Sequence, residues 1–331
     1  MVQNSSADTE RKILAILQVL SESAESLGSI TIARKLVPLG YSLSERAIRY
    51  HLRIADERGY TQPLGRDGRM ITAKGREELR LAMAPEKLSF ILEKLETLAF
   101  RTTFNPKKQS GLVPINVSLF DKNIYQKAIS VMQKAFRSKI RISEFVATAQ
   151  EGEKLGDIII PAGKIGLATI CSVVINGVLL KGGIPINSKF GGVLEIRNGE
   201  PRRFVAIINY GGTSLDPSEQ YIRARMTSVL ETISSGNGRI LANFREIPSL
   251  SKELVAELLA QLSYAGIDGM NSLGEIGETI CQIPVGNSRV GLVLLGGLNP
   301  VATVVESGIE VENIAESGMM EFKQLVRFRD L

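Results

Sequence analysis

The stretch SERAIRYHLRIADERGY, residues 44–60, sorts its side chains when turned at about 100° per residue. Arg46, Arg49, Tyr50, Arg53 and Glu57 fall on one face, and Ile48, Leu52 and Ala55 fall on the other, with His51 at the edge. Arginine presents a planar fork of donors that fits both a phosphate and the guanine edge. Ser44, at the start of the helix, is placed to meet a phosphate at the helix N-terminus. Downstream, Arg66 and Arg69 flank an Asp67-Gly68 turn. This chemistry suits DNA. The same arginines on a protein-binding module would only be solvated, and residues 1–84 carry 13 Lys+Arg against 10 Asp+Glu, so placement carries the signal more than number.

A second set of candidates lies in KGGIPINSKFGG and RNGEPRRFVAIINYGGTSL. Gly182 and Gly183 let backbone N–H groups approach a ligand. Lys181, Lys189, Arg202 and Arg203 supply positive charge, and Ser188 and Thr213 supply hydroxyls. Cys171 and Asn176 lie on the neighbouring apolar run and would shape such a site. The set fits a small carboxylate or phosphate; turn glycines with solvated basic side chains are the other reading of the same residues.

Other chemistries lack their parts. The chain has one histidine, His51, and two cysteines far apart, Cys171 and Cys281. That leaves no triad, no two-histidine metal site and no thiolate zinc site, and neither catalytic nor metal-binding residues are assigned. The cysteine usage fits a reducing cytoplasm. No G-x-G-x-x-G joins a strand to a helix, and no G-x-x-x-x-G-K-[ST] occurs. A signal peptide is not expected from the polar start MVQNSSADTERK. The uncharged run IGLATICSVVINGVLL, which no other run exceeds in length, is shorter than the roughly 20 residues that span a bilayer. Its Asn176-Gly177 is a strong hairpin signal, so the run is expected to be two strands joined by a tight turn.

The elements that must position these residues follow from capping and periodicity. Asp8 or Thr9 caps a helix bearing Ile13, Ile16, Leu17 and Leu20, and Ser29 or Thr31 caps a second one ended near Pro38 and Gly40. Ser42 with Glu45 has the capping-box spacing for the third helix, which Gly59 closes. Short strands then surround Asp67-Gly68. Three helices and a small basic hairpin make the winged helix-turn-helix plan, with the third helix in the major groove and the hairpin against the backbone. One such domain makes few base contacts, so a dimer reading two half-sites is expected.

With 331 residues, more than one domain is expected. Residues 1–84 form the winged helix and 85–111 a connecting helix and linker, with Leu88, Leu92, Leu95 and Ala99 on its stripe. Residues 112–331 form a duplicated domain with halves at about 112–235 and 236–331. In the repeat, Pro161 matches Pro284, Gly163 matches Gly286, Asn176-Gly177 matches Asn299-Pro300 and Gly183-Ile184 matches Gly308-Ile309. Each copy reads as strand, helix, strand, hairpin, strand. The fold class is α+β: an N-terminal winged helix-turn-helix followed by an α/β sandwich of two halves related by a pseudo-twofold axis. The acids of the second copy, Glu306, Glu310, Glu312 and Glu316, would repel an anionic ligand, which places an anion site toward the first copy.

A winged helix before a Gly-rich duplicated domain containing ATICSVVINGVLLKGGIPI and FGGVLEI resembles the nitrogen-regulatory repressor family of methanogenic archaea, NrpR. The winged helix also resembles that of ribonuclease R-like proteins. The NrpR resemblance implies a non-enzymatic, cytoplasmic, homo-oligomeric transcriptional repressor, dimeric or larger. It implies that the chain binds palindromic operators in double-stranded DNA before nitrogen-assimilation genes. It implies no cofactor, with 2-oxoglutarate as the effector that releases it. It also implies an alternative, in which the chain is a DNA-binding subunit whose regulatory domain only oligomerises or docks a second, 2-oxoglutarate-sensing polypeptide.

Overall fold

The structure is a computed structural model that describes residues 2–23, 25–82, 90–138, 140–269 and 271–331; the side chains of residues 2–7, Arg66, Arg80 and Asn271 lie outside the description. The chain forms two compact units, Met1–Lys87 and Leu88–Leu331.

The first unit contains α1 (Val2–Ser21), α2 (Ser29–Leu36), α3 (Glu45–Glu57), β1 (Thr61–Pro63), β2 (Arg69–Ile71) and α4 (Ala73–Ala82). Ile13, Ile16, Leu17 and Leu20 of α1, Ile32 and Leu36 of α2, and Ile48, Leu52 and Ala55 of α3 close one core. β1 and β2 pair antiparallel, Thr61 with Ile71 and Pro63 with Arg69. Gly68 takes φ +102°, and a Cβ there would meet Leu27 O at 2.3 Å. The caps differ from those expected. Ser44, not Ser42, is the N-cap of α3, its Oγ accepting from Ala47 N–H at 3.2 Å. Gly28 precedes α2, and the Ser29 hydroxyl instead donates to Glu45 at 3.0 Å. Asp8 and Thr9 lie inside α1.

The second unit runs α5 (Phe90–Arg101), β3 (Leu112–Asp121), α6 (Tyr125–Ser138), β4 (Phe145–Ala149), β5 (Lys154–Leu155), β6 (Ile158–Ile159), β7 (Lys164–Ile170) and α7 (Val173–Lys181). It continues with β8 (Asn187–Arg197), β9 (Glu200–Asn209), α8 (Pro217–Arg223), α9 (Val229–Ser235), β10 (Gly238–Pro248) and α10 (Lys252–Tyr264). β11 (Asn271–Ile276), β12 (Arg289–Leu295), α11 (Asn299–Glu306), β13 (Glu312–Glu321) and β14 (Val326–Arg327) complete it.

Two antiparallel five-stranded sheets carry the orders β13-β3-β7-β4-β14 and β9-β8-β10-β12-β11. The orders superpose: β3 corresponds to β10, β7 to β12, β4 to β11 and β13 to β8. The final strand of each half therefore sits in the other half's sheet, so the sheets do not follow the sequence boundary near residue 235. This exchange ties the halves together and produces the pseudo-twofold arrangement. β3, β7, β10 and β12 are buried along nearly their whole length.

Three expectations for this unit need correction. The Asn176-Gly177 hairpin does not form; residues 173–181 are α7. That helix is buried over most of its circumference, so its sequence has no polar stripe to distinguish helix from strand. Gly177 serves close packing instead, since a Cβ there would lie 2.3 Å from Thr102 Cβ. Each copy is accordingly strand, helix, strand, strand, helix, strand. Second, Cys171 sits at the turn between β7 and α7 rather than within a strand. Third, the repeat register shifts in the helices. Lys181 ends α7 and Glu306 ends α11, and Gly183 and Gly308 follow with φ +78° and +79°. Counting back from these ends, Asn176 falls opposite Val301 and Asn299 opposite Val174, so the Asn-Gly and Asn-Pro dipeptides are not counterparts.

Candidate functional site: an arginine-bearing helix and a buried polar cluster

In the first unit, α3 carries the predicted DNA-facing residues. Arg46, Arg49, Tyr50 and Arg53 are exposed, while Ile48, Leu52 and Ala55 are buried. The charges are not equally available. Arg49 pairs with Glu45 one turn back. Arg53 lies 3.6 Å from Glu57 and 5.8 Å from the Tyr50 ring centre. Both pairs are solvent-exposed and within one helix, so they are weak and exchangeable for a phosphate. Arg46 has no ion-pair partner among the described residues. Arg69 differs: its Nε donates to Asp56 Oδ2 at 2.9 Å, and Asp56 also accepts from Thr61. It anchors the hairpin to α3. The Arg66 side chain lies outside the described residues. Ser44 spends its Oγ lone pair on the helix cap. His51 is buried, and burial lowers its pKa, which keeps the imidazole neutral.

In the second unit, the predicted effector residues do not form one group. Ser188 pairs across the sheet with Arg245, and Arg203 lies beside Glu195 on the same ladder. At about 3.3 Å per residue, the seven residues from Ser188 to Glu195 span roughly 23 Å. Arg203 donates to Glu195 at 2.9 Å, Lys189 pairs with Glu246 at 3.1 Å, and Lys181 stands 4.9 Å from the Phe100 ring centre. Arg202 is exposed on β9. Thr213 closes a local turn on Leu215. Gly182 caps α7 and Gly183 makes the left-handed turn after it.

Asn176, Ser188 and Cys171 instead border a cluster the sequence reading did not single out. Arg245 of β10 is the largest fully buried side chain of the chain's described residues. Its Nη2 donates to Ser172 Oγ at 3.4 Å, and Asn243 Nδ2 donates to the same oxygen at 3.3 Å. Asn176 Nδ2 donates to Ser188 Oγ at 3.0 Å. Arg245 Nε and Nη1, Asn243 Oδ1, Asn176 Oδ1 and Glu316 Oε2 are buried without a hydrogen-bond partner among the described residues. Ser172 is the N-cap position of α7, where the helix dipole favours a negative charge.

Burial dominates the electrostatics. It pushes the Cys171 thiol up to about 12, with the Glu316 charge adding to it, so Cys171 is a neutral packing residue. Asp216 rises to about 6, chiefly by burial, against the hydrogen bonds it accepts at the start of α8. Glu219 and Glu316 are also raised by burial. Burial lowers the pKa of Arg245, which stays a cation given how far its ordinary value lies above neutrality. Arg245 thus leaves two donors unused in a buried setting beside the N-terminus of α7.

The acids expected to repel an anion divide differently. Glu306 accepts from Thr227 Oγ1 and from the N–H groups of Val229 and Leu230, capping α9. Glu316 is buried, with Lys94 3.9 Å from its Oε2.

A winged helix followed along the chain by a two-sheet regulatory unit defines the class: a transcription regulator. Residues 88–327 match the family model described as NrpR regulatory domains NRD1 and 2, and residues 14–79 match the ribonuclease R winged-helix domain. The chain belongs to the NrpR family. It is 39% identical to the global nitrogen regulator NrpRI of Methanosarcina mazei, over 96% of this chain and 97% of that protein. It is 30% identical to the global nitrogen regulator NrpR of Methanocaldococcus jannaschii and 29% to that of Methanococcus maripaludis, over 98% and 94% of this chain. It spans about half of each, 56% and 54%. Among solved structures it is similar to a nitrogen repressor-like protein from Methanococcus jannaschii, with TM-score 0.61 and 26% identity over 72% of this chain and 98% of that one. Among the described residues no acid, cysteine and histidine group could hold a metal ion, and no helix is long and apolar enough to cross a membrane.

Proposed function

We propose that this chain represses nitrogen-assimilation genes by binding operator DNA through α3, and that 2-oxoglutarate, held at Arg245, releases it. The observation that carries the effector half is Arg245, fully buried with two donors unused. An uncompensated buried cation is costly, and a carboxylate removes that cost when it binds. Asn243, Asn176, Ser172, Ser188 and the α7 N-terminus surround Arg245 with the polar groups that a keto acid requires. The DNA half rests on the exposed arginines of α3 and on the winged-helix match. The operators are palindromic, and a homo-oligomer presents two copies of α3 to the two half-sites. Release requires that the effector favour the arrangement that does not bind DNA; affinity alone shifts nothing.

The test is calorimetric titration of 2-oxoglutarate into the wild type, Arg245→Met and the Arg202→Ala/Arg203→Ala double variant. Binding by the wild type and the double variant, lost in Arg245→Met, is the expected pattern. No heat with wild-type protein would overturn the effector assignment and leave sensing to another polypeptide.

A further inference from the structure

This inference rests on the reading of the chain as a homo-oligomer and names the face through which copies meet. The duplication supplies an internal comparison. α6 follows β3 as α10 follows β10, at the same spacing: Tyr125 and Lys252 open the helices four residues after Asp121 and Pro248 close the strands. In that register the inward positions agree, Ala128 with Val255 and Ala135 with Leu262, all buried. The outward positions differ in kind. Asn123, Lys127 and Arg137 are exposed in the first copy where Leu250, Leu254 and Tyr264 are exposed in the second. Leu250 is fully exposed and Tyr264 is 87% exposed. The fold therefore accepts polar side chains at these three places, and the apolar ones along α10 serve something other than its own core.

The apolar stripe continues onto neighbouring helices. α5 and α10 both pack on α7. A Cβ on Gly182, which caps α7, would meet Leu258 Cδ1 of α10 at 2.9 Å, and Lys181 stands 4.9 Å from the ring centre of Phe100 on α5. Phe100 is 70% exposed, and Leu180 near the end of α7 is exposed as well. From Leu250 to Tyr264 the stripe runs about 21 Å at 1.5 Å per residue, and two helix spacings of roughly 8–10 Å each carry it across α7 to α5. Single exposed apolar residues are ordinary, but a patch of this extent marks an interaction surface. Its accessible area is on the order of 500 Å² per copy, about 1,000 Å² for two, which is where specific interfaces begin.

The charges on this face indicate what covers it. Glu253 and Glu257 are exposed on α10, and Arg101 and Lys181 are exposed at the C-terminal ends of α5 and α7. None of the four has an ion-pair partner among the described residues. A face that carries apolar side chains, unmatched acids and unmatched cations together is complementary to itself. A two-fold contact requires that property, because the same patch stands on both sides.

We propose that the face formed by α5, α7 and α10 docks on the same face of a second copy of this chain about a two-fold axis. Leu250, Leu254 and Tyr264 of one copy pack on Phe100 and Leu180 of the other, and Glu253 and Glu257 stand opposite Arg101 and Lys181. α7 begins beside Ser172 at the Arg245 cluster and ends with Leu180 and Lys181 in this contact, so one helix reaches both the effector cluster and the interface.

The experiment is light scattering and sedimentation of the full chain from nanomolar to micromolar concentration. The variant Leu250→Asn/Leu254→Lys/Tyr264→Arg writes the outward face of α6 onto α10, and melting curves check that it is folded. The wild type is expected to have at least twice the 36.1 kDa of one chain. The triple variant is expected to have half the wild-type mass at micromolar concentration, its self-association weakened by at least about 100-fold. Charge reversal is the second arm. Glu253→Lys/Glu257→Lys and Arg101→Glu/Lys181→Glu should each weaken association by about tenfold or more, and the four changes together should restore it to within about threefold. Val205→Lys/Ile207→Lys, on the exposed edge strand β9, should leave the mass unchanged. A folded triple variant with wild-type mass, or loss of the oligomer in the β9 variant alone, overturns this proposal and leaves the homo-oligomer standing. Failure of the four charge changes to restore association overturns the facing of the charged groups. A wild type with the mass of one chain at every concentration overturns the homo-oligomer and this proposal with it.

Discussion

Ser118 and Arg245 hold the same place in the two halves of the regulatory unit, and the halves treat that place in opposite ways. Ser118 pairs with Leu167 and Arg245 with Leu292, positions that coincide when the helix ends are aligned. On their other sides lie Asn313 and Ser188. In one half Ser118 Oγ donates to Asn313 Oδ1 at 2.7 Å, and Gly297 leaves no room at the turn, since a Cβ would meet Asn116 Nδ2 and Ile170 O at 2.7 Å. In the other half a cation stands beside Ser172 with donors unused. Asn116 and Asn243 are buried in corresponding positions of both. The duplication supplies two equivalent places; one is closed by its own side chains and the other leaves two donors of Arg245 unused.

This contrast is broken most directly at Arg245. Arg245→Met is expected to weaken 2-oxoglutarate binding by at least about 100-fold, roughly 2.7 kcal/mol or more, because it removes the desolvated charge. The same change leaves the melting temperature equal to or above wild type, since a buried unpaired cation gives way to an apolar side chain. A clear drop in melting temperature without effector would mean that Arg245 is paired and structural. In the closed half, Gly297→Ala forces a methyl against backbone and is expected to cost about 1–3 kcal/mol of stability. Effector affinity, once corrected for unfolding, should stay within about twofold. An affinity loss as large as that of Arg245→Met would place a ligand in the closed half.

The acids next to the open half give a pH signature. Asp216 is raised from 3.8 to about 6, so its protonated form is favoured in the folded chain. Its stabilising contribution is complete below the unfolded value near 4 and is lost as pH rises through about 6. The effector-free protein should therefore be more stable near pH 5 than near pH 7.5, by on the order of 1–2 kcal/mol as this group contributes it. Asp216→Asn keeps the cap on α8 and should flatten that slope in a melting series. In the first unit the contrast lies between arginines. Arg46→Ala is expected to cost about 1–3 kcal/mol of operator affinity without changing stability. Arg69→Ala should act mainly on stability, because it releases the hairpin from Asp56. Equal and purely DNA-binding effects of the two would contradict the pairing pattern.

The winged helix was legible from residue types: the caps of α2 and α3 shifted by one to three residues and α1 starts six or more residues before the caps expected for it, but the apolar stripe of α3 and the Asp67-Gly68 turn are where the spacing put them. The duplication was legible as well, down to Gly183 and Gly308. Strand exchange was not, because nothing in a strand's own sequence says which sheet it joins. α7 was misread because burial on nearly all sides erases periodicity, leaving Asn176-Gly177 as the strongest local signal. Arg245 was missed because NFREIP reads as one charge in a mixed strand. Only the register that sets it opposite Ser188 and beside Ser172 shows that it is enclosed. One signal was present, since a charged residue in a stretch where every neighbour is buried needs a partner.

The central claim is that 2-oxoglutarate acts through Arg245 to release DNA. It is tested most directly by an electrophoretic shift of operator DNA with the wild type and Arg245→Met side by side, each with and without 2-oxoglutarate. Both proteins are expected to bind the operator equally when the effector is absent, and only the wild type should let go when it is added. Release of Arg245→Met at the same 2-oxoglutarate concentration as wild type would contradict the account.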